Sequence, residues 1–277
     1  MEQLKLEKFK SHFLKHKVMI LVLLCLGFVG VSLYVLKDSY ANRVDNDFSE
    51  LQTFLLEVRE KDKEIYNHLK LKEIEKRVDG IDVSSWQNEI DWDLVKETNV
   101  EFAMIRVGYR GMETGLLNED SQFRYNISEA NRVGIPVGVY FFSTATNAIE
   151  AVEEATFVLN LIKDYDVHYP VVYDFELYDQ KRATGVSWET INENAIIFMD
   201  YLEAHGYRSM YYSNITYLKK VWDTEQLKDY KFWLAQYGDD EPVREYDMLQ
   251  YTDKGNVKGI GTTVDLNVAN FAYEVEE

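Results

Sequence analysis

Two acids, Asp174 and Glu176, stand at the end of the run HYPVVYDFELY, residues 168 to 178. Val171, Val172, Tyr173 and Phe175 are β-branched or aromatic, and Pro170 stands where a strand begins, the one place in a strand where proline is tolerated. Side chains at i and i+2 of a strand leave the same face, so both carboxylates point into one space while Phe175 turns away. Like charges held close raise one pKa, leaving one group a proton donor near neutral pH while the other stays ionised. A strand end emerging into water is the alternative, since acids are common there.

The elements that must position this pair follow from the pattern on either side of it. Short apolar runs occur at 80 to 84, 102 to 108, 136 to 142, 170 to 176, 209 to 214, 231 to 237, 248 to 252 and 263 to 269. Helical patterns separate the early runs, at 92 to 98, 120 to 133, 147 to 165 and 189 to 205. Such alternation predicts βα units on a parallel sheet. Eight strands in this length predict a compact α/β barrel, regularly βα at first, with the last three strands following with little helix between them.

In such barrels the active site lies at the C-terminal strand ends. Those positions hold Asp82, Ser84, Ser85 and Trp86, then Arg106 and Tyr109, then Tyr140 and Phe142. Asp174 and Glu176 follow, then Tyr212, Asn214, Gln236, Tyr237, Gln250, Asp265 and Asn267. Acids, amides and rings gather there without His, Cys or a glycine-rich phosphate loop. That inventory suits a neutral polyhydroxy substrate: carboxylates for proton transfer, amides for hydroxyls, rings for stacking. Arg106 has a second reading as the partner of a barrel carboxylate, and Trp233 as a core residue.

Composition narrows the field. A formal net charge of −18 argues against nucleic-acid binding by the folded part. Cys25 is the only cysteine and lies in an apolar run, which excludes disulfides, thiolate metal sites and a Cys nucleophile in the folded domain. With five His, two of them (His12 and His16) in the tail, a histidine metal centre or triad has little support, so neither metal nor cofactor is expected.

The chain opens with a basic tail, residues 1–17, followed by an uncharged run from Val18 to Leu36 long enough to span a bilayer. The basic flank favours a cytoplasmic N-terminus and an external remainder, hence a signal anchor in a bacterial membrane. Secretion after cleavage near Ala41 is the alternative. Residues 37–77 read as a helical stalk, with Val44, Phe48, Leu51, Leu55 and Val58 at helical spacing. It either pairs with a second copy or a cell-envelope partner, or stands alone. The folded domain is expected over 78–277.

Seven segments in order, GIDVSSWQ at 80, GIPVGVYFF at 134, YPVVYDFE at 169, YYSN at 211, FWLAQY at 232, LQYT at 249 and VDLNVA at 264, resemble glycoside hydrolase family 25 lysozymes. The resemblance covers roughly residues 79 to 272. It implies an irregular TIM-like (β/α)5(β)3 barrel that cleaves the β-1,4 bond between N-acetylmuramic acid and N-acetylglucosamine in peptidoglycan glycan strands. The family's acids fall on Glu176, the expected general acid, and on Asp174, Asp82 and Asp265; Tyr140, Tyr212, Trp233, Gln250 and Arg106 fall where substrate contacts are expected. Asp174 and its neighbours are expected either to stabilise an oxocarbenium-like transition state or to orient the substrate's own acetamide; spacing leaves open a covalent nucleophile against substrate assistance, and assistance, with Asp174 polarising the acetamide, is preferred. A chitinase-like glycosidase is the nearest rival, although Tyr169, Pro170 and Val172 stand where its motif needs Gly and Asp. A tethered peptidoglycan-binding scaffold of a secretion or conjugation machine is the rival outside enzymes.

Overall fold

A computed structural model describes residues 69–176 and 182–275. The basic tail, the apolar run 18–36, the cleavage alternative near Ala41 and stalk residues 37–68 lie outside the described residues.

Nine strands form one sheet: β1 (Leu71–Val83), β2 (Phe102–Arg110), β3 (Leu117–Glu119), β4 (Val137–Phe142), β5 (Val171–Asp174), β6 (Ser209–Asn214), β7 (Lys231–Ala235), β8 (Met248–Gly255) and β9 (Val264–Val275). Pairing runs β1-β9-β8-β7-β6-β5-β4-β2-β3, and an additional β1–β2 pairing closes eight of the strands into a barrel. Around the ring β1, β2, β4, β5, β6, β7 and β8 pair parallel in that order, and β9 closes it antiparallel to both β8 and β1. The short β3 hangs antiparallel on β2, outside the closed ring.

Helices α1 (Trp92–Lys96), α2 (Phe123–Arg132), α3 (Ala148–Ile162), α4 (Trp188–Ala204) and α5 (Ile215–Lys220) follow the first five barrel strands. Among the described residues β7, β8 and β9 follow without a helix between them. Several helices start on side-chain caps that satisfy free N–H groups. Asp91 accepts from Leu94 N, Asn147 from Glu150 N, Ser187 from Thr190 N, and Asn214 from Thr216 N and Tyr217 N.

Period-two alternation divides each strand between two cores. Outward residues such as Ile105, Val139, Phe141, Tyr173, Tyr211 and Leu234 pack with Ile127, Val158, Phe198 and other helix residues. Inward residues fill the barrel: Phe102, Met104, Val172, Met210, Trp233, Met248, Ala269 and Phe271 form a second cluster. Gly138 lets this interior close up, because a Cβ there would stand 2.6 Å from Met104 and 2.7 Å from the Cβ of Tyr169. Towards the C-terminal ends of the parallel strands, and the N-terminal end of antiparallel β9, the inward positions change from apolar to acidic and amide side chains.

One expectation is corrected. Leu71–Arg77, read from sequence as the end of the helical stalk, is the first half of β1, and Leu71–Glu75 pairs antiparallel with Phe271–Val275. The folded domain therefore begins before residue 78. Arg208 donates to the Leu71 carbonyl at 2.9 Å, and Glu73 accepts from Lys231 Nζ at 2.8 Å and from the Tyr273 hydroxyl at 3.0 Å. Alternating charge makes this segment look helical; its backbone is satisfied by β9 instead.

Candidate active site

A cleft of about 960 Å³ opens at the C-terminal ends of the barrel strands. Asp82, Asp174, Glu176 and Asp265 line it, together with Arg106, Tyr140, Tyr212, Trp233 and Gln250. All nine residues singled out from sequence thus share one cavity, though in different ways.

Asp82 and Asp265 are directly opposite on antiparallel β1 and β9, so their side chains leave the sheet on one face. Asp82 is buried, and its Oδ2 accepts from Gln250 Nε2 at 2.8 Å and from Asn267 Nδ2 at 2.7 Å. Neither amide has a choice of orientation. The Gln250 oxygen accepts the hydroxyls of Tyr212 (3.2 Å) and Tyr237 (2.7 Å), and the Asn267 oxygen accepts Trp233 Nε1 at 2.9 Å. Both NH₂ groups are therefore left facing Asp82. Burial raises the Asp82 pKa, and hydrogen bonds from Asn267, Gln250 and Asp265 partly offset that rise. Asp265 is pushed up to about 8, first by burial and then by the charge of Asp82 and the hydrogen bond between the two acids. Burial and mutual repulsion thus favour a proton held by this acid pair.

Asp174 ends β5, opposite Phe142 on one side and Tyr212 on the other. It is buried, and its Oδ1 has no hydrogen-bond partner among the described residues. Burial, then the charges of Glu176 and Asp82, hold its pKa well above the ordinary value, against a smaller lowering by Arg106. Glu176 stands two residues beyond, half-buried, and its Oε2 lies 3.5 Å from Asn214 Nδ2. One acid is therefore sunk in the floor and the other raised at the mouth.

Arg106 leans away from the acids. Its guanidinium pairs with buried Asp120 at 2.7 Å and donates to Ser85 Oγ at 3.1 Å. Asp120 also accepts the backbone N–H groups of Ser85 and Gln122, tying the first rim loop to the end of β3. Arg106 does pair with a carboxylate, but that of Asp120 after β3, outside the closed ring, and not one on a barrel strand.

Trp233 is 2% exposed, and the edges of Tyr140 and Tyr212 meet it at ring separations of 6.1 and 5.2 Å. A ring so enclosed forms the floor and props the two tyrosines; it offers no open face for stacking. Gln250 is likewise committed to protein partners. The open rings are Trp86, 76% exposed, with Tyr109 and Tyr237. These were legible as strand-end residues but were not singled out as substrate contacts. Asn88 and Met112 also line the cleft and carried no signal in the sequence, nor did Asp120 behind it. Among the described residues no cluster of three or more His, Cys, Asp or Glu is arranged to hold a metal ion.

Inward carboxylates at the C-terminal mouth of a closed α/β barrel, with tyrosine and tryptophan walls, define a carbohydrate-acting hydrolase architecture. Within that class the chain belongs to the glycosyl hydrolases family 25, whose sequence profile matches residues 81–260. It is 29% identical over 190 residues to an autolytic lysozyme of Clostridium acetobutylicum, covering 68% of this chain and 54% of the relative. The chain thus spans about half the length of that relative. The modular autolysin LytC of Streptococcus pneumoniae, solved in complex with a synthetic peptidoglycan ligand, is similar with a TM-score of 0.61 and 28% identity. That match covers 73% of this chain and 47% of LytC. A bacterial lysozyme from Streptomyces coelicolor shares the fold, with a TM-score of 0.57 at 24% identity over 69% of this chain and 90% of that one.

Proposed function

We propose that the protein is a lysozyme that hydrolyses the β-1,4 bond between N-acetylmuramic acid and N-acetylglucosamine in peptidoglycan. The carrying observation is the two-level acid pair: Asp174 buried with a bare oxygen in the floor, Glu176 half-buried above it at the mouth. Family membership and the peptidoglycan-related descriptions of the similar proteins support the choice of substrate.

Glu176 is the general acid. It gives its proton to the glycosidic oxygen as the bond to the anomeric carbon breaks, and the leaving sugar departs as a neutral alcohol. Asp174 lies too deep to reach that oxygen, but a group hanging below the sugar ring reaches Asp174. The 2-acetamido group is such a group, and Oδ1 accepts its N–H, aiming the acetamide oxygen at the anomeric carbon. The Asp82–Asp265 pair, braced by Gln250 and Asn267, completes the acidic floor. Water then opens the cyclised intermediate, with Glu176 taking the proton back. Trp86, Tyr109 and Tyr237 are the open rings along the glycan path.

The test is digestion of purified peptidoglycan by the full-length protein and by Glu176→Gln, with new reducing ends identified by mass spectrometry. Muramic-acid ends from wild type only are expected. N-acetylglucosamine ends would make it a glucosaminidase, and no cleavage by either protein would leave a binding module.

A further inference from the structure

Behind β5, on the side away from the cleft, lies a polar network that the proposed chemistry does not use. Ser143 follows the last residue of β4 and is fully buried. Its hydroxyl lies 2.6 Å from Glu154 Oε2 and 2.9 Å from the Tyr173 hydroxyl, while its backbone N–H donates to the Asp174 carbonyl at 2.7 Å. Glu154 projects from α3 with no exposed surface, and its other oxygen pairs with Arg110 Nε at 2.7 Å. Arg110 directs its remaining donors to the Gly115 and Glu150 carbonyls and to Glu153. Glu150 in turn holds Arg182 through contacts of 2.5 and 2.9 Å, and Arg182 donates to the Thr144 carbonyl. Arg182 is the first described residue after Glu176. The network therefore meets β5 at Tyr173 and Asp174 through Ser143, and extends through Arg110 and Glu150 to Arg182.

An all-apolar contact between α3 and the sheet would fill this space without burying ions, and buried ion pairs add little net stability over apolar packing. What a directional network adds is a single geometry. Tyr173 and Asp174 are neighbours on β5, facing opposite sides of the sheet, so a hydrogen bond that fixes Tyr173 on one side fixes the carboxyl on the other.

We infer that Ser143, Tyr173 and Glu154, extended by Arg110, Glu150 and Arg182, form a buried positioning device that fixes the carboxyl-bearing end of β5 for the reaction in the cleft. This rests on the lysozyme reading above. None of these residues touches the substrate; they act through the placement of Asp174 and Glu176. Misplacement of catalytic groups by about 1 Å costs on the order of 100-fold in rate, so loss of one directional contact should be read mainly in kcat.

The experiment compares full-length wild type, Tyr173→Phe, Ser143→Ala and the double variant on solubilised peptidoglycan, with Arg182→Ala and Arg182→Lys beside them. Tyr173→Phe removes one hydroxyl and keeps the buried ring. The expected result is a fall in kcat of about ten-fold or more for each single variant, with KM within about two-fold of wild type. The double variant should be little worse than the worse single, because both act through one contact chain. Arg182→Lys should recover part of the kcat lost in Arg182→Ala. Thermal midpoints allow rates to be corrected for folded fraction. Unchanged kcat in Tyr173→Phe and Ser143→Ala, or a loss that vanishes after that correction, overturns the positioning role while leaving the lysozyme reading intact. Wild type that cleaves nothing overturns the lysozyme reading and this inference with it.

Discussion

Replacing Asp265 by Asn tests whether the cleft holds a proton at neutral pH. The folded-state pKa of Asp265 is raised from 3.8 to about 8, so the folded protein binds a proton that the unfolded chain has already lost. Stability from this group is fully present below about pH 4 and is lost as pH rises through about 8. A shift of about four units corresponds to a ceiling of about 6 kcal/mol at about 1.4 kcal/mol per unit. Partial exposure and the shared proton with Asp82 reduce this to roughly 2–3 kcal/mol. The side-chain amide of the Asp265→Asn variant has no proton to lose, and its NH₂ replaces the hydroxyl as donor to Asp82. Urea unfolding of both proteins from pH 4.5 to 9 measures the effect. The stability of wild type relative to the variant should decline by about 2–3 kcal/mol across that range, with groups that do not interact with residue 265 cancelling and the difference reporting the Asp82–Asp265 pair. Parallel stability curves would refute the reasoning, because they would mean that Asp265 is ionised, or ordinary, throughout.

Trp86→Ala should raise KM about 5- to 30-fold with little change in kcat, the loss of a stacking ring worth on the order of 1–2 kcal/mol; equal loss in kcat would give Trp86 a role at the reacting centre. The uncharged run 18–36 and the basic residues before it support a proposed signal anchor in a bacterial membrane, with the catalytic domain outside. Protease added to intact cells should then remove the domain while the protein sediments with membranes, and recovery of intact protein from the soluble cytosolic fraction would sink that placement.

Much of the barrel was legible because its strands are short apolar runs with helical spacers, and the eight strand positions read from sequence are the eight of the closed ring. What escaped was held by distant partners. β3 is three residues, too short for a period, and exists because β2 pairs with it. Residues 71–77 carry the charges of an exposed helix, but β9 completes their ladder. Strand-end reasoning gathered the site acids because inward alternation is local. It could not assign Gln250, whose commitment to Asp82, Tyr212 and Tyr237 depends on contacts across the sequence, nor Asp120, which binds Arg106 from beyond the ring.

The arm formed by the start of β1 brings the chain into the barrel at one defined end. Strand β1 runs parallel to β2 and antiparallel to β9, and its C-terminal end carries Asp82 into the cleft, so Leu71 lies at the opposite end of the barrel, about 30 Å of extended chain before Gly80. At that end Arg208, Lys231 and Tyr273 lock the arm in place. The cleft therefore opens on the side opposite the chain's entry into the barrel, and a change made upstream of the arm leaves its lining residues unaltered. Cutting into the arm, by contrast, uncovers Phe271–Val275 as a free strand edge, a template for edge-to-edge aggregation.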